Sequence, residues 1–223
     1  MDPVKDPAHF IRTQTRIKPV PHAEEIRLHL ADEAMDLWQC TEDELGEIGL
    51  PPPFWAFAWA GGQALARHLL DNRELVAGKT VLDFASGSGI VGIAAMMAGA
   101  ASCSAVDIDR FAKTAGELNA ALNNVAITFT TEDLTSGPAL DVDVAFFGDV
   151  FYDKPMALKV LAFADRLQAK GTKVYVGDPG RSYLPRERLE LLATYAVPVV
   201  GALEDAEIKK SSVYRLLPLE KAV

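Results

Sequence analysis

The sequence predicts an α/β fold: a seven-stranded, mostly parallel sheet whose last strand runs antiparallel, preceded by an N-terminal extension. Three observations predict it. From about residue 79, short apolar runs alternate with amphipathic stretches, as βαβ units require. The first run feeds a glycine-rich turn, Ala85-Ser86-Gly87-Ser88-Gly89, that leads directly into a helix. The last two runs are separated only by residues 201–210, too few for a crossover helix, so they should pair as a hairpin with the final strand reversed.

Taken in order, residues 1–60 are punctuated by Pro3, Pro7, Pro19, Pro21, Pro51, Pro52 and Pro53. A short strand fits 26–30 and an acidic turn fits 41–46. This segment reads as an appendage that covers the cofactor edge or the substrate side. Residues 61–223 form the main domain, opened by a helix at 61–70. Strands are predicted at 80–84, 102–106, 126–130, 142–147, 173–176, 195–200 and 212–217. Helices are predicted at 89–98, 110–123, 155–169 and 185–193. Pro155 and Pro185 each suit a first helical turn, where the missing N–H is no loss. The polar link 132–141 leaves little room for a helix.

The chain has 223 residues, enough for one such domain plus the extension, and 49% are hydrophobic, enough for a sizeable core. A formal charge of −9 argues against extended contact with a nucleic-acid backbone, which needs clustered Lys and Arg. It suits a basic partner, although net charge speaks first to solubility. Cys40 and Cys103 lack metal-site spacing and imply a reducing compartment. His9, His22, His29 and His68 show no ligand spacing either, so no metal is expected. No run approaches a membrane span, and Asp2 and Asp6 sit poorly in an import presequence. The expectation is a soluble, cytoplasmic monomer that engages neither nucleic acid nor membrane.

The glycine turn carries the chemistry. Read literally, Gly87-x-Gly89-x-x-Gly92 with Asp107 twenty residues after Gly87 fits a dinucleotide fingerprint. Asp83 pulls the other way, because a carboxylate at the strand end would face a pyrophosphate with like charge. It suits the ammonium and sulfonium of S-adenosylmethionine. Asp83 is then the partner of the methionyl amine, with Ser86, Gly87 and Gly89 forming the cofactor loop and Asp107 holding the ribose diol. Asp133, just past the third strand, could accept from the adenine amino group. Past the fourth strand, Asp149 could orient an incoming ammonium and Tyr152 could line its channel. Asp153 reads as a helix cap. Asp109 falls where the next helix begins.

Three segments then resemble a known family: Pro53-Phe54-Trp55-Ala56-Phe57-Ala58-Trp59-Ala60-Gly61-Gly62-Gln63, Asp149-Val150-Phe151-Tyr152-Asp153 and Gly177-Asp178-Pro179-Gly180-Arg181. Together they look like the electron-transfer-flavoprotein β-subunit lysine methyltransferases, within the class I, Rossmann-like, seven-β-strand protein-lysine methyltransferases. The resemblance covers roughly residues 50–217. It implies S-adenosylmethionine as methyl donor, S-adenosylhomocysteine as product and the flavoprotein β subunit as substrate. It implies that Asp149 and Tyr152 are catalytic and that Trp59 packs over the cofactor, with Gln63 a weaker candidate. One departure is visible: the family's first loop glycine is Ala85, tolerable unless its φ is positive. Arg181 could contact an acidic substrate surface.

Three other readings stand beside this one. A small-molecule N-methyltransferase acting on nicotinamide-like amines would need a closed pocket above Asp149. A NAD-binding oxidoreductase follows from the literal glycine string. A non-catalytic binding module would carry the same loop in degenerate form.

Overall fold

The computed structural model describes residues 6–31, 52–199 and 207–219; Cys40 and the expected acidic turn at 41–46 lie outside them. Among the described residues, a helix α1 (Pro7–Gln14) leads into a hairpin, β1 (Arg16–Val20) and β2 (Ala23–Leu30). The sheet strands follow as β3 (Thr80–Phe84), β4 (Ser102–Val106), β5 (Thr128–Thr130), β6 (Val144–Gly148), β7 (Lys173–Asp178), β8 (Leu189–Pro198) and β9 (Ile208–Leu216). Their spatial order is β5-β4-β3-β6-β7-β9-β8. Strands β5 to β7 pair in parallel, and β9 lies between β7 and β8, antiparallel to both. This is the seven-stranded sheet that the sequence predicts.

Alternation along each strand divides the core in two. Val81, Val144 and Phe146 face helices α2 (Ala60–Asp71) and α3 (Ile90–Met97) on one side of the sheet. Leu82, Phe84 and Phe147 face α5 (Lys154–Ala169) on the other. Period-2 side chains in a sheet buried on both faces require this split. Helix α4 (Arg110–Leu122) begins at Asp109, whose carboxylate accepts from the Phe111 N–H, and α5 begins at Asp153, which accepts from the Met156 N–H. Both are ordinary N-caps.

The N-terminal hairpin shares the main core. Val20, Ala23, Ile26 and Leu28 are fully buried in the same cluster as α2 and α3. Asn119 of α4 and Asn123, the residue that ends that helix, fasten it: Asn119 accepts from the His29 N–H at 2.8 Å, and Asn123 accepts from the Arg27 N–H at 2.9 Å. The Asn119 side-chain amide also donates to the Ser88 carbonyl at 2.9 Å, tying the hairpin to the glycine turn.

One predicted element is wrong. Residues 185–193 form no α-helix; a short 3₁₀ turn, Arg186–Arg188, gives way directly to β8. The leucines at 189, 191 and 192 fit a helical or a strand period equally over so short a run. Pairing with β9 from Leu189↔Leu216 to Pro198↔Ile208 decides for strand. A ladder of that length outweighs the few tenths of a kcal/mol per residue that separate helix formers from strand formers.

Candidate active site

The carboxyl ends of β3 and β6 flank a crevice bounded by the glycine turn, by Phe57 and Trp59, and by Gly148 and Asp149. Parallel sheets open their ligand sites at this edge. Three residues of the turn have left-handed backbones: Ala85 at φ +53°, Gly87 at +50° and Gly89 at +78°. Gly89 is also the residue from which α3 starts.

Ala85 is therefore in the one conformation where replacing glycine carries a penalty. A non-glycine residue in the left-handed region costs about 1 kcal/mol or more. Ala85→Gly should accordingly stabilise the protein by about 1 kcal/mol, raising Tm by roughly 2–4 °C in a thermal melt.

Two acids, Asp83 and Asp107, flank the turn. Asp83 is 2% exposed, and its carboxylate accepts from the Gly92 N–H at 2.8 Å. Burial pushes its pKa up to about 8, with Asp107 adding to the rise and the Gly92 bond opposing it. Asp107 accepts from the Gly87 N–H at 2.9 Å with one oxygen and from the Asp109 N–H at 3.0 Å with the other. Its pKa is also raised, first by burial. Asp107 thus clamps the turn from beneath. The Ser86 hydroxyl is buried against the crevice without a hydrogen-bond partner among the described residues.

Asp149 follows β6 with a left-handed backbone, φ +55°, a strained conformation that turns its side chain toward α2. One carboxylate oxygen accepts from the Gly61 N–H at 2.5 Å and the Gly62 N–H at 3.3 Å, at the start of α2. The other takes a two-pronged contact from Arg181, at 3.1 Å from Nε and 2.8 Å from a terminal nitrogen. The Arg181 guanidinium lies 5.9 Å from the Trp59 ring centre. Trp59 anchors itself by donating from its indole N–H to the Phe54 carbonyl at 2.8 Å. Tyr152 and Phe54 stand 5.9 Å apart and about half exposed at the mouth. Burial raises the Tyr152 pKa first, with Asp153 and Asp107 adding and Arg181 opposing, so its hydroxyl stays protonated at neutral pH.

The structure thus brings Trp59, Asp83, Ser86, Gly87 and Asp149 to one crevice, with Asp107 behind Gly87, Gly89 completing the turn and Tyr152 at the rim. It does not bring Asp133 there. That side chain is exposed and folds onto its own loop, accepting from the Thr135 N–H at 2.9 Å and from the Thr135 hydroxyl at 2.6 Å. Gln63 does not line the crevice either. It is 1% exposed, accepts from the His22 N–H, and donates to the carbonyls of Ala58 and Pro198. It braces hairpin, helix and β8 together. Gln63→Ala would strand three partly buried backbone groups and should cost roughly 2–4 kcal/mol in a denaturant melt. Asn119 carries no signal in the sequence, since a fully buried amide on a helix is indistinguishable from an exposed one until its partners are known.

The chain is similar to known methyltransferases. Residues 64–146 match the family model for ribosomal protein L11 methyltransferase (PrmA). The electron transfer flavoprotein beta subunit lysine methyltransferase of Xenopus laevis is 37% identical over 95% of this chain and 87% of its own length. The human protein of that name is 33% identical over 83% of this chain and 70% of its own. The Caenorhabditis elegans homolog is 33% identical over 86% of this chain and 88% of its own. Among solved structures, the Pyrococcus abyssi tRNA (uracil-54, C5)-methyltransferase in complex with S-adenosyl-L-homocysteine superposes with a TM-score of 0.52 at 18% identity, covering 75% of this chain and 41% of that one. TrmN from Thermus thermophilus gives 0.51 at 20% identity, covering 68% and 48%. At such identities the two structures speak for the fold.

Proposed function

The chain belongs to the electron transfer flavoprotein β subunit lysine methyltransferase family, and we propose that it transfers a methyl group from S-adenosylmethionine to lysine side chains of that flavoprotein subunit. The observation that carries the reading is the pairing of two carboxylates, Asp83 and Asp149, across one crevice at adjacent strand ends. A site lined by acids suits a cationic cofactor and a cationic side chain. It is a poor seat for the pyrophosphate of a dinucleotide, which disfavours the oxidoreductase alternative.

The residues present fit S-adenosylmethionine. Asp83 would hold the amino group, and the unpartnered Ser86 hydroxyl offers a further polar contact inside the crevice. The backbone around Gly87, fixed by Asp107, would face the ribose, with Asp107 itself the candidate for the diol. Trp59 would cover the open side. Bound there, the cofactor supplies an electrophilic methyl group on a sulfonium.

The protein's part is alignment. Asp149 draws the lysine ammonium to the crevice and holds the nitrogen in line, a positioning effect of the kind worth up to about 7–11 kcal/mol for a well-held pair. The attacking nitrogen must be neutral, so the ammonium gives its proton to solvent at the rim before transfer. Tyr152 and Phe54 flank the side chain's aliphatic stem. Their exposure leaves the mouth open among the described residues, which favours a long side chain on a protein over a small enclosed amine.

The test is intact-mass spectrometry of purified electron transfer flavoprotein incubated with this protein and S-adenosylmethionine. Methyl increments should appear on lysines of the β subunit. A flavoprotein of unchanged mass, alongside methylation of nicotinamide-like amines, would favour the small-molecule alternative.

A further inference from the structure

We infer that Arg181 sits in the seat of the substrate's lysine ammonium and is exchanged for it on each catalytic cycle. The inference rests on the lysine-methyltransferase reading above and adds a gate to it.

A carboxylate offers about four lone-pair sites. Asp149 already receives four donors: the Gly61 and Gly62 N–H groups on one oxygen and the Arg181 fork on the other. An arriving ammonium must therefore displace one of them. The glycine donors cannot withdraw. A Cβ added to Gly61 would lie 2.2 Å from the Gly177 carbonyl oxygen, and one added to Gly177 would lie 2.2 Å from the Gly61 carbonyl oxygen. Helix α2 and strand β7 are thus in direct backbone contact, and the Asp149 N–H is itself bonded to the Gly177 carbonyl at 3.0 Å. That side of the site has no slack.

Arg181 differs on each count. It reaches in from the loop after β7 on a long side chain that stays 22% exposed, so it has an exit to solvent. Its guanidinium has a carboxylate on one side and the Trp59 ring nearby. These are the two contacts that an alkylammonium seeks. Exchanging one cation for another leaves the site's charge unchanged. Arg181 is 22% exposed and can return to water, and a lysine presented by a docked protein draws on remote contacts to win the exchange. A free small amine, without remote binding energy to spend, cannot do so as readily. Arg181 is then a specificity-determining placeholder that reserves Asp149 for lysines delivered on a protein surface.

The experiment compares wild type with Arg181→Ala, using flavoprotein as methyl acceptor and methylguanidinium as a probe of the vacated seat. The expected result is a KM for flavoprotein lower by roughly three- to tenfold in the variant, with the change falling on KM rather than kcat. Methylguanidinium should compete with flavoprotein and raise Tm in the variant, and do neither in wild type. An unchanged or higher KM with a reduced kcat, and no response to methylguanidinium, would make Arg181 a fixed support for Asp149 and overturn the inference. Should wild type fail to methylate flavoprotein, the functional reading falls separately, because the Tm response reports on the seat without catalysis. Arg181→Gln keeps the stem beside Trp59 and replaces the alanine variant if that melts below assay temperature; the same two outcomes decide.

Discussion

Asp149→Ala is expected to reduce methyl transfer by at least about 10³-fold, because the transferred group's acceptor loses its only aligning charge in the proposed mechanism. The same substitution should lower stability by roughly 2–4 kcal/mol, since it removes a cap from α2 and leaves the Arg181 guanidinium beside the Trp59 ring without its carboxylate. Two effects from one residue call for two readouts: label incorporation into flavoprotein, and a thermal melt. Asp149→Asn separates them. It keeps an oxygen for the Gly61 and Gly62 N–H groups, so most of the stability should return, while the charge that attracts an ammonium does not. Cofactor affinity, read by calorimetry, should stay within about tenfold of wild type in the Asn variant. Substantial methyl transfer by folded Asp149→Asn would remove Asp149 from the mechanism.

Much of this site is legible in the sequence because its parts are local. A strand, a tight turn and a helix in succession put Asp83, Gly87 and Gly89 at one edge. Short connections after β4 and β6 put Asp107 and Asp149 at neighbouring positions of that edge. What the sequence could not show depends on distant pairings. The β8 segment reads as helix until β9 is known to lie beside it. Gln63 and Asn119 are braces whose partners lie up to 135 positions away. The Arg181 contact with Asp149 spans 32 positions and joins two loops that only the sheet order makes adjacent. Asp133 lies outside the crevice for the opposite reason: a strictly local hydrogen bond from Thr135 holds its side chain on its own loop. Ala85 is an intermediate case. The sequence marks it as a departure, and only its φ shows that the departure is strained.

Cofactor affinity should rise steeply with pH, by about tenfold per unit between pH 6 and a little below 8, and then turn down. Asp83 governs this. Burial holds its pKa at about 8 in the unliganded protein, so at pH 6 it is protonated and offers a neutral carboxyl to a cationic amine. Binding must then expel that proton, and the penalty shrinks as pH approaches 8. Above that, the ligand's own amino group begins to lose its charge, since α-amino groups titrate near 7.7–8.0, and the gain reverses. The stability of the unliganded protein should run the other way. An aspartate whose folded pKa lies above its unfolded value binds its proton more tightly when folded. Stability is therefore greatest below about 4 as far as this group is concerned, and declines as pH rises toward 8. Asp83→Asn removes the titration: affinity should become nearly flat with pH and weaker than wild type at pH 8, while unliganded Tm at pH 8 should rise. Isothermal calorimetry at several pH values, in buffers of different ionisation enthalpy, counts the protons directly. Nearly one proton released per cofactor bound at pH 6, and a net count turning to uptake at pH 8.5, is the expected result. Equal release at both values would place the buried charge on another group.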